Sequence, residues 1–484
     1  EIPSWAYAVF KKSQEQGSDY YSLENTHERS AAFVGVATYS WKRRYSLTGT
    51  YRYEGTNRMG KSRSARWLPT WNLSGAWNAH EESWFEKLKP VLSNFTAKLS
   101  YSLTADRGPS SITNSRAVIK ADNPWRPSAN DKESSLYIAW LANNDLTYEK
   151  KHELNFGLDA GFLNNRINFT FDIYTRRNYD LIGATNTMGI GGEPTKYGNV
   201  AKMKSNGVEL SLNTVNIKTK DFTWTTDFIY SHMKNEVTEL NTYNRLYDYI
   251  SGYGFTMPGY PQRSLFSIPF AGLNNEGLPT FYDPDGNITV TGIDMQEYDP
   301  ERLKFLKYEG PADPTDVGSL GNIFRYKNLT LNVFITYSFG NVVRLDPVFS
   351  SEYSDLSATP KEFNNRWIKP GDEKYTNIPV IASRQQLNNI SYLSKAYQSY
   401  NYSTARVAKG DFIRMKEISL AYEFPKTLTQ PLHLSNLSLK LQATNLFLLY
   451  ADKKLNGQDP EFFNTGGVAT PMPKQFTLTL KFGI

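Results

Sequence analysis

The clearest hydrophobic pattern in the chain is a strict alternation of apolar and polar residues on both sides of Asn164-Asn165. Apolar residues occupy every second position of 154–162 before this pair and of 167–173 after it. Period-two alternation is typical of a β-strand with two unlike faces, and Asn-Asn tolerates the positive φ angles of a two-residue turn. The stretch therefore predicts a β-hairpin with one apolar face and one face of carboxylates and amides.

The same alternation recurs along the whole chain. We count roughly 13 or 14 strands of about 9–11 residues, the length that crosses a bilayer when a strand is tilted. Short turns separate some strands, whereas long polar segments, predicted as loops, separate others. These predicted loops lie at 104–148, 179–200, 237–318 and 344–408. Short turns at one end and long loops at the other are typical of an outer-membrane barrel and unusual in a soluble domain. The pattern thus predicts an all-β fold, a transmembrane antiparallel β-barrel.

Aromatic residues support a membrane location. The chain has 32 Tyr, 27 Phe and 10 Trp, which together make 14% of its residues. Many of the Tyr and Trp residues lie near predicted strand ends, where interfacial girdles require them. The mean hydropathy of −0.53 agrees with this interpretation, because only every second residue of a barrel strand meets lipid. We therefore expect a multi-pass β-barrel in the cell outer membrane.

Charge and motif content exclude several other functions. Lys and Arg number 54 against 48 Asp and Glu, and the basic residues are scattered, so no nucleic-acid partner is expected. The chain has no Cys, and its five His residues are far apart, so no metal-ligand spacing is present. Asp283–Asn287 predicts a turn rather than a calcium loop, because the bidentate Glu of such loops is missing. We predict no catalytic residues, no cofactor and no metal site.

Several segments together resemble one known family. They are 147–150 with 154–167, 197–199 with 204–210, 412–422, and 444–447 with 457–461. In combination they resemble the C-terminal barrel portion of SusC/RagA-type TonB-dependent outer-membrane transporters. Residues 412–422, for example, resemble the family strand (F/Y)-(L/I)-R-(L/M)-K-x-(I/L)-(S/T)-L. Ser205-Asn206-Gly207 departs from the strict family spacing before Val208.

The resemblance implies a larger assembly than this chain. It implies a barrel of about 22 strands, a plug that contacts the TonB complex, and a SusD-like surface lipoprotein that caps the barrel. The plug is not in this chain, which has too few strands to close such a barrel. Open sheet edges in lipid cost several kcal/mol for each unsatisfied backbone group. We therefore expect the remaining strands to come from an upstream segment or a second chain, with outer-membrane lipid around the wall.

Two sets of residues are candidates for binding an oligosaccharide or peptide substrate. The first set lies in the aromatic stretch 243–260 and consists of Tyr243, Tyr247, Tyr249, Tyr253 and Tyr260. Rings with polar tips stack on sugars and hold peptide side chains, although the stretch can also pack on itself. The second set consists of Arg52, Asp159 and Asp172, which the alternation places on the lumen face. Pairing with neighbouring charges is the alternative interpretation for these three.

Three functions compete at this point. The leading hypothesis is TonB-dependent import of a large nutrient through the barrel. The alternatives are an outer-membrane barrel enzyme, such as a lipase or protease, and a soluble carbohydrate-binding β-sandwich protein. The direction of the apolar faces decides between barrel and sandwich, because only the sandwich packs those faces against each other.

Overall fold

The computed structural model describes residues 4–15, 27–108, 116–122, 135–189, 195–240, 244–252, 254–348, 361–463 and 473–483. The strands there are β1 Ser30–Trp41, β2 Tyr45–Thr56, β3 Trp67–Asn78, β4 Leu92–Asp106, β5 Val118–Asp122, β6 Ser135–Trp140, β7 Glu149–Phe162, β8 Ile167–Asn186, β9 Thr195–Lys218, β10 Phe222–Leu240, β11 Ser264–Ser267, β12 Phe270–Leu273, β13 Pro279–Tyr282, β14 Ile288–Thr289, β15 Lys307–Pro311, β16 Asp316–Tyr326, β17 Leu329–Phe339, β18 Val342–Arg344, β19 Val407–Lys409, β20 Phe412–Glu423, β21 Asn436–Ala451 and β22 Gln475–Gly483. The α-helices are α1 Ser4–Glu15, α2 Arg63–Arg66, α3 Leu246–Ile250, α4 Arg384–Asn389, α5 Leu393–Asn401 and α6 Lys426–Thr429. None of these helices is long and apolar enough to cross a membrane.

Thirteen of the strands form one antiparallel sheet, here called the wall. Its order is β1-β2-β3-β4-β7-β8-β9-β10-β16-β17-β20-β21-β22, so strands that follow one another along the wall are hydrogen-bonded neighbours. Among the described residues, β1 and β22 each pair on one side only. The predicted all-β antiparallel fold is confirmed. The wall has 13 strands, which agrees with the 13 or 14 predicted from the alternation.

The hairpin predicted around Asn164-Asn165 is present, but its turn is longer than predicted. β7 ends at Phe162 and β8 begins at Ile167, so four residues connect the strands. Leu163 adopts a positive φ angle of 52°, and the two asparagines adopt 58° and 59°. The two-residue turn was therefore the wrong prediction, because Leu163 and Arg166 also belong to the turn, where the Arg166 nitrogen donates a 3.3 Å hydrogen bond to the Leu163 carbonyl.

The apolar residues of the wall share one face, here called the outer face. The register places Leu158 opposite Phe171 and Phe171 opposite Leu210, so apolar side chains form rows across the strands. Leu47 and Leu99 on this face are 52% and 54% exposed. In the described part of the chain these side chains do not pack against a second sheet. The soluble β-sandwich alternative is therefore wrong, since a sandwich buries this face.

Three wall strands are much longer than a bilayer requires. β8, β9 and β10 have 20, 24 and 19 residues, against the 9–11 or so that cross a membrane. The prediction of a loop at 179–200 was wrong at both ends, because β8 continues to Asn186 and β9 already begins at Thr195. Beyond the apolar rows, polar cross-strand pairs continue the ladder, such as Lys202 Nζ with Glu239 Oε2 at 2.7 Å. The alternation of apolar and polar residues ends within these strands, whereas the strand pairing continues to their ends.

The predicted long loops contain folded structure. The segments 244–313 and 342–410, here called the cap, build α3–α5 and the small sheets β11–β15, β12–β13–β14 and β18–β19. One core joins both segments and consists of Leu246, Ile250, Ile268, Leu278, Phe281, Ile293, Met295, Leu303, Val348, Ile378, Leu393, Ala396, Tyr397 and Tyr400. The predicted loop 104–148 likewise holds the hairpin β5–β6. These segments gave no periodic signal because their core residues come from short elements at irregular spacing.

Candidate functional site

The inner face of the wall carries the charged candidates, and two of them have ion-pair partners. The Asp159 carboxylate pairs with the Lys98 ammonium on β4. The Arg52 Nε donates a 2.7 Å hydrogen bond to Glu54 Oε2 on the same strand. Alternation along the strands places these side chains on the face opposite the apolar rows. Charges of both signs therefore line the interior side of the wall, largely in neutralising pairs.

Asp172 lies in a different environment from the other two candidates. Its register neighbours are Gly157 on β7 and Glu209 on β9. A Cβ atom added at Gly157 would lie 2.7 Å from Asp172 Oδ1, so the glycine makes room for this carboxylate. Two carboxylates thus stand side by side on the inner face. Because like charges directly opposite each other repel, this pair favours a cationic group in the interior.

The tyrosines of the aromatic stretch pack on other cap rings. Tyr247 meets Tyr402 edge-on at 5.9 Å between ring centroids, and Tyr249 lies 4.7 Å from Phe255. Tyr260 makes a similar edge contact, at 5.1 Å, with the ring of Phe266. Burial raises the pKa of the Tyr249 hydroxyl. These three rings are therefore structural parts of the cap, and their contact with a ligand stays a prediction. Tyr243 and Tyr253 lie outside the described residues.

A buried ion pair joins the wall to the segment after β21. Arg414 on β20 and Asp459 are both 3% exposed, and the guanidinium pairs with the Asp459 carboxylate. Arg414 Nε also lies 3.2 Å from Glu461 Oε2. The sequence alone does not indicate this pair. Its residues belong to two of the segments on which the family resemblance rests, 412–422 and 457–461, but no spacing indicated that the segments touch.

A second, partly buried arginine connects segments of the cap. The guanidinium of Arg344 on β18 donates to the carbonyl of Phe266 at 2.5 Å, to Ser267 Oγ at 3.0 Å and to the carbonyl of Ser403 at 3.2 Å. Burial lowers the pKa of Arg344 to about 10. The cation remains charged at neutral pH and bridges segments that are far apart in the sequence. No sequence pattern indicates this role, because the acceptors of Arg344 are mainly backbone carbonyls.

Two open cavities are lined by charged and aromatic side chains. One, of about 760 Å³, lies between wall and cap and is lined by Arg263, Thr336, Phe412, Lys416 and Glu461, among others. Another, of about 550 Å³, opens on the cap and is lined by Glu362, Arg366, Asp372, Tyr375 and Lys454, among others. Both volumes are in the range of small-ligand sites. Each cavity offers both signs of charge beside an aromatic ring, which suits a polar ligand with apolar parts.

The described residues contain no arrangement of three or more His, Asp or Glu side chains that could hold a metal ion. Asp283 Oδ1 accepts hydrogen bonds from the backbone nitrogens of Asp285 at 2.9 Å and Asn287 at 2.8 Å. The predicted turn at this position is confirmed. The arrangement as a whole can bind and enclose a ligand.

Comparisons with known proteins agree with this geometry. The TonB-dependent receptor P3 of Formosa agariphila is 25% identical over 450 residues, covering 88% of this chain and 41% of that protein. The TonB-dependent receptor SusC of Bacteroides thetaiotaomicron is 27% identical over 478 residues, covering 95% and 44%. The solved RagAB peptide transporter shares the fold, with a TM-score of 0.73 and 23% identity over 94% of this chain and 48% of that chain.

The chain spans less than half the length of each of these proteins. The predicted resemblance to SusC/RagA-type proteins is confirmed, as is the predicted location in the outer membrane. The family model described as TonB dependent receptor-like, beta-barrel matches residues 10–446, which is most of the chain. The chain therefore belongs to the TonB dependent receptor-like β-barrel family.

Proposed function

We propose that this chain forms part of the wall and the folded cap of an outer-membrane importer for a large nutrient. The observation that carries the proposal is the two-faced wall, with exposed apolar side chains outside and paired charges inside. An apolar exterior suits lipid, and a polar interior suits a watery passage. The wall itself performs no chemistry in this proposal, in keeping with relatives that are named as receptors.

We propose that the other parts of the importer, the remaining barrel strands and the plug, lie outside this chain. The open edges of β1 and β22 need partners in lipid, and we propose that an upstream segment or a second chain supplies the missing strands. That segment also supplies the plug, which couples the barrel to the TonB complex. The match to proteins named TonB-dependent receptors supports this coupling.

We propose that the cap receives substrate together with a SusD-like surface lipoprotein. The cap has its own hydrophobic core, so it presents a stable surface to a lid. The cavity between wall and cap offers Arg263, Lys416 and Glu461 to a polar substrate. An oligopeptide or an oligosaccharide fits this chemistry. The RagAB structure, described as a peptide transporter, supports the peptide class.

The proposal is tested by nutrient uptake in cells that carry the full-length protein. Cells are grown on an oligopeptide mixture or an oligosaccharide as the sole nutrient, with the gene intact, deleted, or present in a strain without TonB. We expect growth on one polymer class to need both the gene and TonB, whereas growth on free amino acids or monosaccharides needs neither. Growth on every polymer without the gene would refute import, and polymer hydrolysis by the purified protein would favour the barrel-enzyme alternative.

A further inference from the structure

Three basic residues stand together on the outer face of the wall, at the long-loop end of the apolar rows. They are Arg177 on β8, Lys204 on β9 and Lys234 on β10, here called the basic patch, and all three are exposed. Alternation places each of them on the same face as the apolar residues of its own strand. A cation on this face does not point into the barrel interior, so the patch plays no part in the substrate passage.

The register brings the three cations close to one another. Arg177 lies directly opposite Lys204, and Lys234 lies opposite Asn206, which makes it the diagonal neighbour of Lys204. Directly opposite residues have Cβ atoms about 5 Å apart, and diagonal neighbours are roughly 7–8 Å apart. Like charges directly opposite each other, as Arg177 and Lys204 are, destabilise a sheet. An anion bound beside them would offset this repulsion. The three side chains together span about the width of one phosphate-bearing headgroup.

Pairing within the protein neutralises only part of this charge. Lys204 Nζ lies 3.0 Å from Glu236 Oε2. Further from the apolar rows, Lys150 pairs with Asp180 and Lys202 with Glu239, both at 2.7 Å. In the described part of the chain no carboxylate pairs with Arg177 or Lys234. Arg177 and Lys234 are thus exposed and open to an external anion, whereas Lys204 between them is partly neutralised by Glu236.

The position of the patch identifies the kind of anion. Arg177 lies roughly ten residues along β8 from its start at Ile167. At about 3.3 Å per residue and a tilt of about 40°, this corresponds to roughly 25 Å, the height of the apolar band of a barrel. At the same end of β7 and β8, the His152 ring stacks between Tyr101 and Tyr179 at 5.7 and 5.6 Å. Such rings mark the headgroup level of a membrane.

We propose that the basic patch binds the phosphate of an anionic lipid headgroup in the outer leaflet. The acyl chains of that lipid lie along the apolar rows below Arg177, and the phosphate lies among the three cations. A soluble anion would have the same charge but would gain nothing from the adjoining apolar surface. The proposal needs the wall to lie in a membrane, and it does not depend on import or on any substrate.

The test uses the full-length protein in nanodiscs of phosphatidylcholine that contain a small fraction of phosphorylated lipid A. The triple variant Arg177→Gln, Lys204→Gln and Lys234→Gln is compared with the wild type, and bound lipid is counted by native mass spectrometry. Each basic residue near a membrane surface contributes several-fold to anionic-lipid binding. We therefore expect the triple variant to bind phosphorylated lipid A roughly 100-fold more weakly.

Three controls make the result specific. The cap variant Lys304→Gln, Lys369→Gln and Lys374→Gln removes the same charge far from the wall and should bind like the wild type. Arg177→Lys keeps the charge and should retain most of the binding. Dephosphorylated lipid A should bind all variants equally, and inorganic phosphate should compete poorly. Unchanged lipid binding by the triple variant, or equal binding of the dephosphorylated lipid to the wild type, would overturn the proposal.

Discussion

The wall and the cap use the same apolar residues in opposite ways. In the wall, apolar side chains recur at every second position and remain exposed on the outer face, as Leu47 and Leu99 do. In the cap, Ile268, Phe281 and Leu393 are almost completely buried and come from short elements without a common period. The wall therefore relies on lipid to cover its apolar surface, whereas the cap covers its own.

This difference predicts two kinds of sensitivity. A wall position responds to substitution according to the face and the depth at which it lies in the membrane. A cap position responds according to how tightly it is packed, as in a soluble protein. Substitutions of similar chemistry should thus have different consequences in the two regions. The four predictions below, ordered from the largest expected effect to the smallest, test that difference.

The largest effect is expected where a buried ion pair joins the wall to the segment after β21. Arg414→Met leaves the Asp459 carboxylate buried without its partner, which costs about 3–5 kcal/mol. Denaturant unfolding of the full-length protein in detergent measures this loss. The matched control is Lys304→Met, which breaks the exposed cap pair with Glu301 and should cost roughly 0–1 kcal/mol. Equal losses for the two variants would mean that burial does not decide the value of a pair here.

The next effect tests the two faces of the wall directly. Phe171→Arg places a charge on the outer face, in the row with Leu158 and Leu210, and should destabilise the barrel by roughly 2–4 kcal/mol in a lipid bilayer. Thr170→Arg places the same charge one residue earlier, opposite Asp159 on the inner face, and should be nearly silent. Folding titrations in lipid vesicles compare the two variants. A similar loss at both positions would contradict the assigned faces.

A smaller effect is expected from overpacking the cap. Gly277 has a φ of 76°, and a Cβ added there would lie 2.4 Å from the Trp367 ring. Gly286 has a similar φ of 82° but open space around it. Gly277→Ala should therefore destabilise the cap by about 1–3 kcal/mol more than Gly286→Ala. Hydrogen exchange of cap amides measures the difference, and protection of the wall amides should not change. Equal exchange in the two variants would show that contact with the Trp367 ring does not destabilise the cap.

The smallest effect concerns acid sensitivity of the cap. Hydrogen bonds from Trp367 Nε1 at 3.0 Å and from the Gly371 nitrogen at 2.8 Å hold the pKa of Glu373 below its ordinary value. A carboxylate with a lowered pKa stabilises the folded state above its unfolded pKa, and this contribution is lost as pH falls through the folded pKa. Cap stability should thus decline below about pH 4.5.

Glu373→Gln should remove this part of the decline, because the amide does not titrate. Glu276→Gln, at an exposed cap position, is the control and should keep the wild-type pH profile. Hydrogen exchange of the cap between pH 3 and pH 6 follows both variants. An unchanged acid profile in Glu373→Gln would show that these hydrogen bonds do not couple to cap stability.

The sequence was sufficient to predict the wall because its signal is local. Alternation around Leu158 and Phe171 shows both the strand and its faces without knowledge of any distant residue. The cap could not be predicted in this way, because Ile268 and Tyr400 share a core although more than a hundred residues separate them. The extension of β8 and β9 was also missed, since polar pairing continues a ladder after the alternation has ended.

In the candidate site, too, the face on which a side chain lies could be predicted from nearby residues, whereas partners from distant segments could not. The alternation placed Arg52 and Asp159 on the inner face, but it could not identify Lys98 as the partner of Asp159, because cross-strand partners depend on register. Glu54 lies two residues from Arg52 on the same strand, so alternation does place this partner on the same face. The Arg414–Asp459 pair could not be predicted, although both of its segments, 412–422 and 457–461, carry part of the family resemblance. Each residue is ordinary by itself, and only the fold brings the two charges together in a buried place.

The central claim is that the apolar side chains of the wall face lipid and the polar side chains face water. The chain has no Cys, so single cysteines placed in turn at positions 168–174 of β8 can carry a spin label in vesicles, in a full-length protein whose cysteines outside this chain, if present, are replaced by Ser. We expect labels at 169, 171 and 173 to be accessible to oxygen, and labels at 168, 170, 172 and 174 to be accessible to a water-soluble nickel complex or buried in the interior. Uniform access of the nickel complex to all seven positions, without the period of two, would contradict the account.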